Sequence, residues 1–292
     1  MRLKELIAES SERLTKAQVS FGHGTTNAHD EASWLVLWSI GLALDTNTAE
    51  SDLELSKSQL EKAYATIDRR IKERKPSAYL TGEAWLQGVP FFVDQRSIIP
   101  RSLIAECLAN ALIDPWLNIH TSQVLDLCTG NASLAIICAM VYPDVYIDAL
   151  DISVEALEVA QINVKRHMLE SRINLILSDC LEQACGPYDL VLCNPPYVNA
   201  KSMGELPQEF KAEPALSLYG GEDGMDLIKR ILNDVPNYLT DIGIIVLEIG
   251  HERIHFEKAF KTLECVWLET STAQDQVVLI TKKQLLAHLK TT

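Results

Sequence analysis

The chain has 292 residues, 47% of them hydrophobic, a composition that can bury a core and excludes a disordered chain. Against 26 Lys and Arg stand 40 Asp and Glu, a net charge of −14. A field of that sign repels nucleic-acid phosphate and attracts basic partners, which leans against direct DNA binding and toward a basic protein substrate; the same acidity equally serves solubility. The seven cysteines (Cys107, Cys128, Cys138, Cys180, Cys185, Cys193 and Cys265) are odd in number and form no C-x-x-C pair. They are expected to be reduced thiols of a cytoplasmic protein rather than a disulfide frame or a metal site. The opening Met-Arg-Leu-Lys-Glu-Leu-Ile lacks the apolar core of a signal peptide. No apolar run reaches the roughly 18 residues of a membrane span.

Residues 1 to about 80 read as a small helical domain, expected to recognise the substrate. Leu3, Leu6, Ile7 and Leu14 recur at helical spacing. A second helix starts near Asn27-Ala-His-Asp30 and carries Ala32, Leu35, Val36 and Ile40. A third runs from about Lys57 to Glu73, with Leu60, Tyr64, Ile67 and Ile71 on one face and Pro76 closing it. His23, His29, Asp30 and Glu31 are close in sequence, but Asn27 and Asp30 read as helix-start residues and not as part of a metal cluster. Trp34, Trp38 and Trp85 are expected in the core. Glu83–Leu86 and Val89–Val93, with Gly88 between, read as a β-hairpin linker over residues 81–100.

Residues 101–292 alternate strands and helices. Strands are expected at Val124–Cys128, Val145–Leu150, Ile173–Leu177, Leu190–Cys193, Ile242–Glu248, Val266–Glu269 and Val277–Thr281. Helices fall near 132–141, 153–169, 224–239 and 251–261. This alternation implies an α/β domain with a mostly parallel seven-stranded sheet covered by helices on both faces. The short gap before the last strand implies an antiparallel hairpin at the sheet edge. Residues 199–222 read as a flexible flap.

The chemistry gathers at the strand ends. The first strand runs into Asp126-Leu-Cys-Thr-Gly130, a tight turn whose following helix offers backbone N–H groups to an anion. There Asp126 suits a ligand ammonium, and Gly130 allows close backbone approach. Asp151, ending the second strand, suits two ribose hydroxyls. After the third, Asp179 suits an adenine amino group. The same residues also fit an ordinary turn, a helix cap and a loop acid. After the fourth strand comes Asn194-Pro195-Pro196-Tyr197. Its two prolines remove two donors and stiffen the turn. The Asn amide and the Tyr ring suit a planar group bearing NH₂.

Together these features resemble the class I S-adenosylmethionine-dependent methyltransferases, which have a Rossmann-like fold, and in particular the branch that methylates amino groups. Phe21-Gly-His-Gly-Thr-Thr-Asn27, Ile99-Pro-Arg-Ser102, Leu206-Pro-Gln-Glu-Phe-Lys-Ala-Glu-Pro214 and Gly220-Gly-Glu-Asp-Gly-Met-Asp-Leu227 look like the ribosomal protein L3 glutamine N5-methyltransferase family along nearly the whole chain. The resemblance implies that Asp126, Cys128, Thr129, Gly130, Asn131, Asp151, Ile152, Asp179, Cys180 and Asn194 hold S-adenosylmethionine. It also implies that Asn194, Pro195, Pro196 and Tyr197 bind the substrate, with Asn194 Oδ1 and the Pro195 carbonyl accepting its N–H bonds and Tyr197 packing on the amide plane. Arg101 would touch the cofactor, steady the tetrad or stand as a surface residue of the linker. Where the family has Gly-Ser-Gly, this chain has Gly130-Asn131-Ala132. Ala132 is tolerated if its φ is negative. Cys128 stands where the related release-factor methyltransferases have Gly. Three other readings share these residues: a release-factor glutamine methyltransferase, an N6-adenine methyltransferase acting on a flipped base, and a cofactor-binding protein that has lost catalysis. The adenine reading needs a basic footprint, and residues 1–80 carry no clear one.

Overall fold

The apolar stripes of residues 1–80 become helices in a computed structural model, which describes residues 1–48 and 51–291. Four helices form: α1 (Leu3–Lys16), α2 (Ala28–Ile40), α3 (Lys57–Glu73) and α4 (Ser77–Thr81). Asn27 caps α2 by accepting from the Asp30 backbone N–H, and Ser56 with Gln59 makes a capping box for α3. Leu3, Leu6, Ile7, Leu14, Leu35, Val36 and Ile67 pack into one core. Trp38 and Trp85, expected inside, are 41% and 44% exposed. Trp38 stands two positions beyond Val36, on nearly the opposite side of α2, and strand alternation turns Trp85 outward where Ala84 turns in.

This unit comprises residues 1–84, 93–95 and 206–212. The last segment arrives from far along the chain, and a buried ion network holds it. The fully buried Arg70 of α3 donates from Nε to Glu31 (2.7 Å), from Nη1 to Glu209 (3.1 Å) and from Nη2 to the Ser20 carbonyl (2.9 Å). Arg74 pairs with the same Glu209 at 2.7 Å. Phe210 packs beside His23, ring centroids 4.1 Å apart. Residues 199–222, expected as a flexible flap, carry the short helix α8 (Ala200–Glu205) and two 3-10 turns, Phe210–Ala212 and Ala215–Ser217. Within that stretch Glu209, Phe210 and Glu213 are partnered, a pattern that hydropathy alone does not show.

The second unit spans residues 85–92, 96–205 and 213–292. The expected hairpin forms as β1 (Glu83–Leu86) and β2 (Val89–Phe92). There follow α5 (Ile104–Ala109), β3 (Gln123–Leu127), α6 (Ser133–Val141), β4 (Tyr146–Asp151), α7 (Val154–Arg166), β5 (Ile173–Leu177) and β6 (Tyr188–Cys193). The remainder is α9 (Asp226–Asp234), β7 (Leu239–Glu248), α10 (Arg253–Ala259), β8 (Val266–Leu268), β9 (Val277–Thr281) and α11 (Lys282–Leu289). Seven strands make one sheet in the order β5-β4-β3-β6-β7-β9-β8. The first five are parallel, and β9 runs antiparallel to both β7 and β8. Val124, Leu125, Val191, Leu192, Ile245 and Val246 are fully buried, as expected of strands covered on both faces.

Candidate active site

The strand order sets where a ligand can enter. From β3 the chain steps outward through β4 and β5, then returns to place β6 on the other side of β3. Loops leaving β3 and β6 therefore part in opposite directions and open a crevice beyond the carboxyl ends of the strands. A cavity of about 410 Å³ occupies that place, walled by residues from every strand end from β3 to β6 and by the chain from Pro214 to Leu227.

Beyond β3 the turn is shaped from beneath. Asp126 is 1% exposed, and its Oδ2 accepts from Thr129 Oγ1 (2.5 Å) and the Ala135 backbone N–H (3.0 Å). Its Oδ1 is buried without a hydrogen-bond partner among the described residues. Burial raises its pKa from 3.8 to about 7, against the pull of those two donors. Asn131 donates to the Ile98 carbonyl and accepts from the Ser133 N–H. Of the residues expected to hold a cofactor in this turn, Cys128 and Gly130 wall the cavity, while Asp126, Thr129 and Asn131 lie behind it and shape it. The condition for an unstrained Ala132, a negative φ, is not met: φ is +63°, at the N-cap of α6. Cys128 is also left-handed, at +62°. Both residues thus fall where glycine is favoured, Ala132 in place of this family's glycine and Cys128 in place of the release-factor relatives'.

Asp151 ends β4. Its Oδ2 accepts from the Gly130 N–H (2.8 Å) and its Oδ1 from the Ser153 N–H (2.9 Å). A carboxylate has about four lone-pair sites, so each oxygen keeps one for a ligand. Capping of α7 falls to Ser153. Burial raises the Asp151 pKa, partly offset by these backbone donors. Beside it Ile152 walls the cavity and is 50% exposed. Beyond β5, Asp179 and Cys180 line the cavity, and Asp179 Oδ1 pairs with Arg230 at 2.6 Å.

Asn194, Pro195, Pro196 and Tyr197 follow β6 directly, and all four wall the cavity. The Asn194 side chain makes no hydrogen bond to any described residue, so its amide is left to whatever enters. Tyr197 donates its hydroxyl to Glu248 Oε1 (3.1 Å). Arg101 lines the cavity but grips Glu213 bidentately, at 2.6 and 2.7 Å. It thereby anchors the chain that continues through Pro214, Leu216 and Tyr219 along the cavity wall. Sequence reasoning missed Glu213 and Glu248, both buried carboxylates. An acid ending the otherwise apolar run Ile244-Ile-Val-Leu-Glu248 was the available signal.

The geometry has relatives. A family model, "Methyltransferase small domain", matches residues 102–223. A "Ribosomal protein uL3 glutamine methyltransferase" of Bordetella pertussis is 49% identical over 97% of this chain and 96% of its own length. Proteins of that name from Neisseria gonorrhoeae and Burkholderia pseudomallei are 44% and 43% identical, each over 98% of this chain and 96% of their own length. Among solved structures, the hMettl16 catalytic domain in complex with MAT2A 3′UTR hairpin 6 aligns with a TM-score of 0.52 at 13% identity, over 78% of this chain and 82% of that one. That likeness speaks for the fold alone. Near-complete coverage at 43–49% identity decides the family: this chain belongs to the ribosomal protein uL3 glutamine methyltransferases.

Proposed function

We infer that the protein transfers a methyl group from S-adenosylmethionine to the side-chain amide nitrogen of a glutamine in ribosomal protein uL3. The observation that carries the site-level reading is the unengaged Asn194 amide on the wall of a cavity that also receives Asp151 and the Gly130 turn. The residues present fit the cofactor. Asp151 keeps acceptor capacity for hydroxyls at the wall, and Gly130 brings bare backbone to it. Gly130, Cys128, Asp151, Ile152, Asp179 and Cys180 would hold it.

When bound, the cofactor supplies an electrophilic methyl on a sulfonium. The chain must do the rest. An amide nitrogen is a poor nucleophile, because its lone pair is delocalised into the carbonyl. Asn194 Oδ1 and the Pro195 carbonyl would accept the two substrate N–H bonds, turning the nitrogen toward the methyl and stabilising the positive charge that grows on it. Pro195 and Pro196 hold those acceptors rigid. Tyr197 would lie against the amide plane, so that positioning carries much of the rate. Removing one fixed acceptor at such a site costs on the order of 10²-fold. Asn194→Ala is therefore expected to bind cofactor in calorimetry and to lose at least that much turnover on uL3. Near-normal turnover contradicts the assignment.

A further inference from the structure

We propose that Glu248 is a positioning residue for this reaction, holding the Tyr197 ring in the one orientation that receives the substrate amide. The inference rests on the reading above, in which the target nitrogen lies at the Asn194–Tyr197 tetrad.

Register brings the two together. Leu247 of β7 is the parallel partner of Cys193 of β6, so Glu248, the last residue of β7, stands beside Asn194, the first beyond β6. Glu248 is 3% exposed. A buried carboxylate is costly unless donors satisfy it, and three do so here. Ser102 Oγ donates to Oε2 at 2.6 Å, the Leu103 backbone N–H to the same oxygen at 2.9 Å, and the Tyr197 hydroxyl to Oε1 at 3.1 Å. Oε2 is thus fixed to the start of α5, and Oε1 is presented to the tyrosine. One carboxylate joins the tetrad to two other parts of the domain.

The ring has no room to answer a lost anchor by sliding sideways. A Cβ on Gly250 would stand 2.3 Å from Tyr197 Cε2, and one on Gly224 would stand 2.2 Å from the Tyr197 carbonyl oxygen. The backbone therefore approaches both ring and main chain as closely as only glycine allows. Tyr197 is also one of the residues that wall the cavity. With the hydroxyl tied, the ring holds its place at the wall. Untied, its free direction is into the cavity, where the amide must lie. A carboxylate suits the position because it only accepts, matching three donors at once.

Glutamine can replace Glu248 in a defined way. With its oxygen on the Ser102 and Leu103 side, its NH₂ faces Tyr197, whose hydroxyl can accept as well as donate. Leucine, of similar size, can do neither. The expected ordering is that Glu248→Leu and Tyr197→Phe each lower kcat on uL3 by on the order of 10-fold, as for one ordinary hydrogen bond. Glu248→Gln should recover most of that loss. KM for uL3 and the calorimetric cofactor Kd should move little, and the double variant Glu248→Leu/Tyr197→Phe should be no slower than either single one. Multiplying losses in the double variant would overturn the proposal, as would equal defects in the Gln and Leu variants.

Ring order can be read without substrate, by NMR of the folded protein labelled at its tyrosine rings. The Tyr197 resonances are expected to broaden or split in Glu248→Leu and to stay sharp in Glu248→Gln. If the wild-type enzyme leaves uL3 unmethylated, the functional reading fails, while the NMR arm still decides whether Glu248 orders the ring. Unchanged Tyr197 resonances in Glu248→Leu refute the positioning role whatever the substrate proves to be.

Discussion

Asp126, which its position before the turn suits to a cofactor ammonium, also builds the turn. In the fold it lies under the turn, one oxygen holding Thr129 and Ala135 and the other without a partner among the described residues. Its hydrogen bonds to Thr129 and to the first turn of α6 hold it there, while the wall is made by Leu127, Cys128 and Gly130. The burial has a thermodynamic sign. The folded carboxyl keeps its proton up to about pH 7, whereas the ordinary value is 3.8. Between about pH 4 and about pH 7 the native state therefore binds more protons than the unfolded chain, and stability falls as pH rises through that window. Asp126→Asn should remove this contribution. Denaturant titrations at pH 5 and pH 8 are expected to show a smaller loss of stability on going to pH 8 in the variant than in the wild type. An equal loss in both would refute the account. The same paragraph of sequence hides why Ala132 is accepted: its left-handed φ costs about 1–2 kcal/mol, but its methyl is fully buried, which returns about 0.8 kcal/mol, and it avoids the backbone entropy that glycine loses on folding. Dihedral angles are not written in residue order, so this balance could not be read in advance.

Elements were far more legible than angles. All seven strands of the large sheet lie where apolar runs of four to seven residues stand between helix signals, because strands covered on both faces must be apolar throughout. The edge hairpin followed from the short gap before Val277. Helices α4 and α8 were not legible, being five and six residues long, too short for a helical period. The last helix, α11, did carry its signature, Thr281 and Gln284 in a capping box. The element-scale surprise is Arg70, an arginine that sits with Ile67 inside the helical unit. Its guanidinium neutralises Glu31 and Glu209, the latter some 139 residues away in sequence. Removing one partner of such a buried network leaves charges uncompensated and costs about 3–5 kcal/mol, whereas replacing every partner with apolar groups can be neutral. Arg70→Met is therefore expected to lower the melting temperature sharply in calorimetry, and Arg70→Met/Glu31→Leu/Glu209→Leu to recover most of the loss. A triple variant no more stable than the single one would show that the network is not what holds residues 206–212.

At the scale of the molecule, physics alone leaves the substrate partly open. The tetrad suits any planar group bearing NH₂, adenine and glutamine alike, because Asn194 and Pro195 offer acceptors that read N–H bonds and not the ring or chain behind them. A net charge of −14 favours a basic protein over a nucleic acid by long-range attraction, and kinship over nearly the whole length names uL3. The most direct measurement is intact-mass and peptide mass spectrometry of purified uL3, a release factor and an adenine-containing DNA duplex, each incubated with the enzyme and S-adenosylmethionine. The account predicts one added methyl group on a single glutamine side chain of uL3, absent with Asn194→Ala. Methylation of the release factor or of adenine, with uL3 unchanged, would contradict it.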